Sequence, residues 1–339
     1  MRQAIMTEPG KIEFREVPEP LPGPGEIMLR IQRIGVCGSD VHVNHGKHPF
    51  TSYPIVQGHE FSATVEAVGE RNTNIQLGTK CTARPQIVCG ECRPCLRGDY
   101  NICDVLKVEG FQAPGCAQDL FITTLSKIVP FDDSMSLEQG AMVEPTAVAV
   151  HATERGGDLT GKSVAVLGAG PIGNLTAQLA RCRGAEKLLI RDLSDFRLEI
   201  ALQCGIAEIS NPGNESMAEA SNRILGDGGF DIAFEAAGME AAMDDAITSI
   251  RKGGTLVVVG VFDEKPRVDM AVVGDRELNL IGTLMYKHED YEQAVELIAC
   301  GDVITEPLVT RHFPFEQYAD AYTFIDEQGD KTMKVMIDM

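Results

Sequence analysis

The stretch S-V-A-V-L-G-A-G-P-I-G, residues 163–173, decides the fold of this chain. A short apolar run rich in β-branched residues passes directly into G-x-G-x-x-G, carried by Gly168, Gly170 and Gly173, and the apolar spacing that follows predicts a helix over 172–183. Strand, glycine turn and helix in that order open a dinucleotide-binding βαβ unit. The helix N-terminus turns its backbone N–H groups and the positive end of its dipole toward a pyrophosphate, and Gly170 lets the backbone approach closely. Pro171 stands where its missing N–H costs little, with Ile172 beginning the helix beside it. The next apolar run, 187–191, leads to Asp192, whose carboxylate suits the adenosine ribose hydroxyls and repels a 2′-phosphate. NAD is therefore expected rather than NADP. Arg191 and Arg197 count on the other side, because a guanidinium can meet that phosphate or stack on adenine.

Toward the C-terminus the rhythm persists. A helix over 198–204, a strand over 230–235, a helix over 239–250 and strands over 255–261 and 278–286 are expected. Strands alternating with helices imply right-handed crossovers and a doubly wound parallel sheet. Toward the N-terminus the texture changes to short runs broken by Gly and Pro. Strands are expected over 11–17, 26–34, 62–68, 79–83 and 119–130, giving an antiparallel, barrel-like domain. Residues 136–155 read as a helix interrupted or restarted at Pro145, capped by Ser136 or Asp133. A helix over 290–300 precedes a tail ending in T-M-K-V-M-I-D-M, strand-like again and expected to return to the first domain. The fold class is thus α/β with two domains, 1–147 with 288–339 and 148–287.

Composition limits the partners. At 339 residues the chain has room for two cores, and 44% hydrophobic content is that of a globular protein. Fifty acidic against thirty basic residues give a formal net charge of −20, with no basic run, so nucleic acid and anionic membrane are excluded as partners and a small molecule is expected. No leader pattern and no membrane-spanning apolar run are present, which points to a cytoplasmic protein.

Ten cysteines are many for a reducing compartment, where clustered thiols more often bind metal than pair. Cys89-x2-Cys92-x2-Cys95-x7-Cys103 can wrap one tetrahedral ion with no open position, a structural role for a lobe at about 86–106. The final spacing is too long for the bacterial ferredoxin run and no Pro follows it, so zinc is preferred to iron–sulfur. Cys81, Cys116, Cys182, Cys204 and Cys300 have no ligand pattern and read as small core residues. Upstream, C-G-S-D-V-H at 37–42 and G-H-E at 58–60 bring a thiol, imidazoles and carboxylates into a short span, the ingredients of a catalytic metal site with a proton path.

Together, C-G-S-D-V-H, G-H-E, the four-cysteine lobe, V-E-P at 143–145, G-A-G-P-I-G and R-D-L-S at 191–194 resemble the zinc-containing medium-chain dehydrogenases, above all their polyol or sorbitol dehydrogenase branch. The resemblance runs essentially end to end. It implies a GroES-like catalytic domain joined to a Rossmann domain, and two Zn2+ per chain. Cys37 and His59 would be catalytic zinc ligands, with Glu60 and Glu144 both candidates for the remaining carboxylate, and the sequence leaves that choice open. Asp40 would orient His59. The metal would lower the pKa of the substrate hydroxyl, Ser39 would accept its proton and pass it by way of the cofactor ribose toward His42, and hydride would go to the nicotinamide.

The same resemblance places Val259, Gly260, Met285 and Tyr286 against the cofactor, and Ser39, Lys47 and Tyr286 against the substrate. Sorbitol dehydrogenases generally carry arginine where Met285 stands, a departure that puts sorbitol itself in doubt. The function expected is oxidation of a secondary hydroxyl of a polyol or sugar derivative. Sugar-acid (hexonate) or L-threonine-type dehydrogenation on the same fold is the alternative, with a carboxylate meeting Lys47 or one of His45, His48 and His288 in the first case. A non-catalytic nucleotide-binding protein is the reading from outside enzymology. A homodimer or homotetramer is expected by resemblance alone.

Overall fold

The computed structural model describes residues 1–70 and 75–339, and the chain divides into two compact units. The first comprises Met1–Glu144, Lys287–Ala299 and Val309–Met339, the second Pro145–Tyr286 and Cys300–Leu308.

The first unit is organised on one long strand, Glu26–Val36, in which Ile27, Leu29, Ile31, Ile34 and Val36 are buried. It pairs antiparallel with Glu60–Val68, Leu120–Thr124 and Lys334–Asp338, and register shifts after Met28 and Ile31 bend it. The sheet runs Val309–Pro314, Lys334–Asp338, Glu26–Val36, Glu60–Val68, Lys80–Ala83, Ile128–Pro130. The end of the chain thus lies beside Glu26–Val36, and this antiparallel pairing places Val335 opposite Val36 and Gly35 opposite Glu60.

The second unit holds a six-stranded parallel sheet in the order Glu208–Ser210, Lys187–Arg191, Ser163–Leu167, Phe230–Glu235, Ile250–Val258, Asn279–Gly282. The order reverses beside Ser163–Leu167, so the crevice for a ligand falls at the carboxyl end of that strand. Val164 and Val166 face one apolar core and Ala165 and Leu167 the other, which is why this strand reads as an unbroken apolar run.

Several boundaries differ from the sequence expectation. Residues 119–130 form two strands, Leu120–Thr124 and Ile128–Pro130, separated by a turn of 3-10 helix. The helical stretch breaks at Met142 rather than at Pro145, because Pro145 lies in the first turn of Val143–Arg155, where no intrahelical donor is needed. Ser136 is the cap, with Gln139 completing a capping box. The last strand of the parallel sheet is only Asn279–Gly282, and residues 300–308 group with the second unit, where Gln178 and Arg181 bond to Ile304 and Asp302. Cys182 and Cys300 are exposed, not core, while Cys81, Cys116 and Cys204 are buried. Among the described residues no helix is long and apolar enough to cross a membrane.

Candidate active site

Cys37 is the N-cap of the short helix Gly38–Asn44, its backbone still extended at φ −85°, ψ 155°. Asp40, three residues on, turns back and accepts the Cys37 N–H through Oδ2 at 3.0 Å, which fixes the thiol at the mouth of the helix. Strand Glu60–Val68 then delivers His59 and Glu60, and one donor atom each from Cys37, His59 and Glu60 lie within 4.8 Å of one another. Sulfur, nitrogen and oxygen at that spacing suit a borderline-soft tetrahedral ion, and three protein donors leave a fourth position open. Behind them, Asp40 Oδ1 stands 3.6 Å from His59 Nδ1, a charge contact longer than a hydrogen bond. Gln57 Nε2 donates to the Asp40 main-chain O and to Oδ1 at 3.2 and 3.3 Å, and the Tyr322 hydroxyl donates to Gln57 Oε1 at 3.0 Å. Burial works against charge on His59, but Asp40 and Cys37 outweigh it and hold the imidazole's pKa well above its ordinary value. Burial likewise pushes the Cys37 thiol up, and the Glu60 carboxylate adds to the effect.

Glu60 has a partner that its motif did not reveal. Lys334 Nζ lies 2.8 and 2.6 Å from its two oxygens and donates to the Val36 carbonyl at 3.3 Å, with both side chains buried. Burial alone would lower the Lys334 pKa, yet Glu60 and Cys37 raise it, so the ammonium stays charged. Gly35 makes room for the pair: a Cβ there would stand 2.5 Å from Glu60 Oε2 and 3.4 Å from Lys334 Cδ. A glycine inside a strand is the one sequence sign that something approaches closely. Glu144 is also buried, but it is not one of the Cys37–His59–Glu60 donor group.

On the helix Gly38–Asn44, Ser39 and His42 sit three residues apart and half-buried, while Asp40 and Val43 turn inward. Just beyond, Lys47 is exposed. His48 stacks on Phe111 with centroids 4.7 Å apart and planes at 10°, and Phe111 in turn lies 4.8 Å from the His59 ring. Thr51 Oγ1 lies 2.7 Å from His48 Nδ1. His45 lies 3.0 Å from Asp326. Neither Phe111 nor Gln57 belongs to a motif that sequence reading could have picked out.

The four lobe cysteines converge. Sulfur separations are 3.9 Å for Cys89–Cys95, 3.8 Å for Cys92–Cys103 and 3.6 Å for Cys89–Cys103. A tetrahedral ion with metal–sulfur bonds of about 2.3 Å has edges of about 3.8 Å, so the cluster fits one such ion. Backbone N–H groups of Glu91 and Cys92 draw the Cys89 thiol down to about 7.

In the second unit Gly168 has φ +106°, and a Cβ there would meet Ala237 N at 2.8 Å. Gly170 caps the helix Pro171–Cys182 with Pro171 at its first position and Ile172 next, and a Cβ on Gly173 would fall 1.9 Å from the Gly168 carbonyl oxygen. Asp192 Oδ2 accepts the Ala169 N–H at 2.6 Å and Oδ1 the Ser194 N–H at 2.8 Å, so the acid is fastened to the glycine turn. Arg191 is buried and paired with Asp245 at 2.9 Å and with Ser210. Arg197 stands near Gly170 with its Nε buried and unpartnered. Val259 and Gly260 follow the strand Ile250–Val258 and donate to the Glu235 carbonyl. Met285 has φ +49°, uncommon for a residue with a side chain, and Tyr286 is fully buried.

A mixed S/N/O donor set on an antiparallel sheet and a glycine turn on a parallel one define a metal-dependent dehydrogenase. The alcohol dehydrogenase GroES-like domain matches residues 23–133 and the zinc-binding dehydrogenase domain residues 171–300. The chain is 30% identical to a sorbitol dehydrogenase of Bacillus subtilis (strain 168), across 99% of this chain and 97% of that one. It is 32% identical to a 2-dehydro-3-deoxy-L-galactonate 5-dehydrogenase of Pseudoalteromonas atlantica, across 92% of each. Among solved structures, a zinc-binding dehydrogenase of Sinorhizobium meliloti 1021 with NADP bound superposes with a TM-score of 0.92 at 27% identity, covering 100% of this chain and 99% of that one. The chain belongs to the zinc-containing medium-chain dehydrogenase family.

Proposed function

We propose that this chain is an NAD-dependent zinc oxidoreductase that converts a secondary hydroxyl of a polyol or sugar derivative to a ketone. The observation that carries the proposal is the Cys37–His59–Glu60 donor group: three unlike protein donors with one position left for substrate make a catalytic, not a structural, metal site. Zinc held there supplies a Lewis acid for the substrate hydroxyl, and NAD accepts the hydride. Glu60 is the third ligand in this reading, because it lies with Cys37 and His59, and Glu144 holds the substrate hydroxyl or the water it displaces. Asp40 keeps His59 oriented. Ser39 takes the hydroxyl proton and His42, on the same helix face, releases it to solvent. Cys89, Cys92, Cys95 and Cys103 hold a second, structural zinc.

Support for NAD comes from Asp192, fixed at the glycine turn, and from Arg191, committed to Asp245 and Ser210 instead of a ligand phosphate. Val259, Gly260, Met285 and Tyr286 complete the cofactor contacts in this reading. The ring of His48, seated on Phe111, offers the substrate a flat face beside the donor group, joined by Ser39 and Lys47. The enzyme works in the cytoplasm, with Asn279–Gly282, an edge strand exposing Leu280, as the surface on which two chains pair.

A sugar acid is a second reading, favoured by the exposed Lys47 and by the acid substrate in the name of the Pseudoalteromonas relative. Steady-state kinetics on neutral polyols, hexonates and L-threonine, with NAD and NADP, test both. If Lys47→Ala leaves kcat/KM unchanged for every acidic substrate, the sugar-acid reading falls.

A further inference from the structure

Glu235 ends the central strand Phe230–Glu235 of the parallel sheet and is fully buried. A buried carboxylate needs donors, and this one finds them in the turn that follows it. Oε1 accepts the N–H groups of Ala237 at 2.9 Å and Gly238 at 2.7 Å, with that of Met239 at 3.5 Å. The main-chain oxygen of the same residue accepts from Val259 and Gly260, both at 2.8 Å. One residue therefore ties together the loops that leave two neighbouring strands.

Those loops press on the dinucleotide turn. A Cβ on Gly168 would meet Ala237 N at 2.8 Å and the Ala236 carbonyl carbon at 2.9 Å, so the turn at 236–239 lies against the first glycine of G-x-G-x-x-G. A Cβ on Gly260 would meet Gly238 N at 2.3 Å and Glu235 Oε2 at 2.7 Å. Gly238 and Gly260 thus close around the carboxylate and Gly168 around the turn that it fastens, and neither Gly168 nor Gly260 has room for a side chain. Burial raises the carboxyl pKa against the pull of the backbone donors, Gly260 among them.

We infer that Glu235 is a positioning residue of the cofactor site, fastening the turn at 236–239 so that it braces Gly168 on one side and Gly260 on the other. The inference rests on the proposed dinucleotide reading, in which Gly168 faces the pyrophosphate and Gly260 the far half of the cofactor. Loosening the turn frees Gly260 and one side of Gly168, while the adenosine side of the glycine turn stays held by Asp192 through Ala169.

The test is titration of the full-length protein and of Glu235→Gln and Glu235→Asp with two probes, NADH and AMP, alongside thermal melting of the ligand-free forms. Glu235→Gln keeps the shape but turns an acceptor into a mixed amide, and Glu235→Asp keeps the charge but withdraws it from the turn. Expected is a Kd for NADH weakened about tenfold or more in whichever variant folds, with AMP binding within about twofold of the parent. A purely structural role would lower the melting temperature and weaken both probes by one factor. Equal losses for NADH and AMP, or NADH binding within about twofold of the parent, overturn the inference. A parent protein that binds no NADH overturns the cofactor reading and this inference together.

Discussion

Lys334, five residues from the end of the chain, closes on Glu60 with its ammonium 2.6 and 2.8 Å from the two carboxylate oxygens in a fully buried pair. Breaking a buried pair leaves an uncompensated charge, at a cost of about 3–5 kcal/mol. Lys334→Met should therefore destabilise the zinc-free protein by about that amount, and less once zinc offsets Glu60. Chemical denaturation with and without zinc measures the difference; equal destabilisation in both states would remove Glu60 from the metal.

Zinc binding at Cys37 and His59 has to displace protons. Burial raises the Cys37 thiol, and Asp40 with Cys37 raises His59 despite its burial, so near neutral pH the metal-free site carries both protons and bound zinc neither. Apparent zinc affinity should rise with pH near neutrality, by about 100-fold per pH unit where two protons are displaced. Competition with a chelator across pH reads the slope, and a flat profile would count against this ligand pair.

Asp192→Ala removes the acceptor proposed for the ribose hydroxyls and unfastens Ala169. NAD should lose about 10-fold or more in kcat/KM while NADP changes little or gains. Retention of the NAD preference would take the discrimination away from Asp192.

Glu109 gives a pH dependence with a definite sign. It is buried against Lys127 at 2.6 Å, and burial, opposed by Lys127, pushes its carboxyl from 4.5 up to about 7. The folded state therefore holds this proton over a window in which the unfolded chain has lost it, so stability falls as pH rises from about 4.5 to about 7. At most about 3 kcal/mol is involved. Glu109→Gln should flatten that part of the profile; melting temperatures of both forms at pH 5 and pH 8 decide, and parallel profiles would assign the change to other groups.

The parallel sheet was legible because its strands are buried on both faces and its helices repeat between them, so each apolar run declared itself. The helices Met217–Leu225 and Tyr318–Gln328 and the strand Val309–Pro314 escaped, the strand because it is nearly all surface and shows no apolar alternation. The donor residues stood in compact motifs, each set by a local turn such as the Asp40 cap on Cys37. What held them did not. Lys334 reaches Glu60 only because the last strand pairs beside Glu26–Val36, and Gly35 matters only because Glu60 lies opposite it. Pairing between segments so far apart in sequence leaves no trace in local spacing. Cys182 and Cys300, at and just past the ends of helices, are exposed for a related reason, since a lone Cys carries no sign of which way it will face.

The account is tested most directly by the initial rate of NAD reduction when the purified, zinc-loaded protein meets a panel of neutral polyols such as xylitol and sorbitol, run beside Cys37→Ser. Expected is reduction with at least one polyol, slower by about 100-fold or more in Cys37→Ser, in line with loss of a ligand to the reacting centre. Absence of NAD reduction with every polyol, or equal rates for the two proteins, would contradict it.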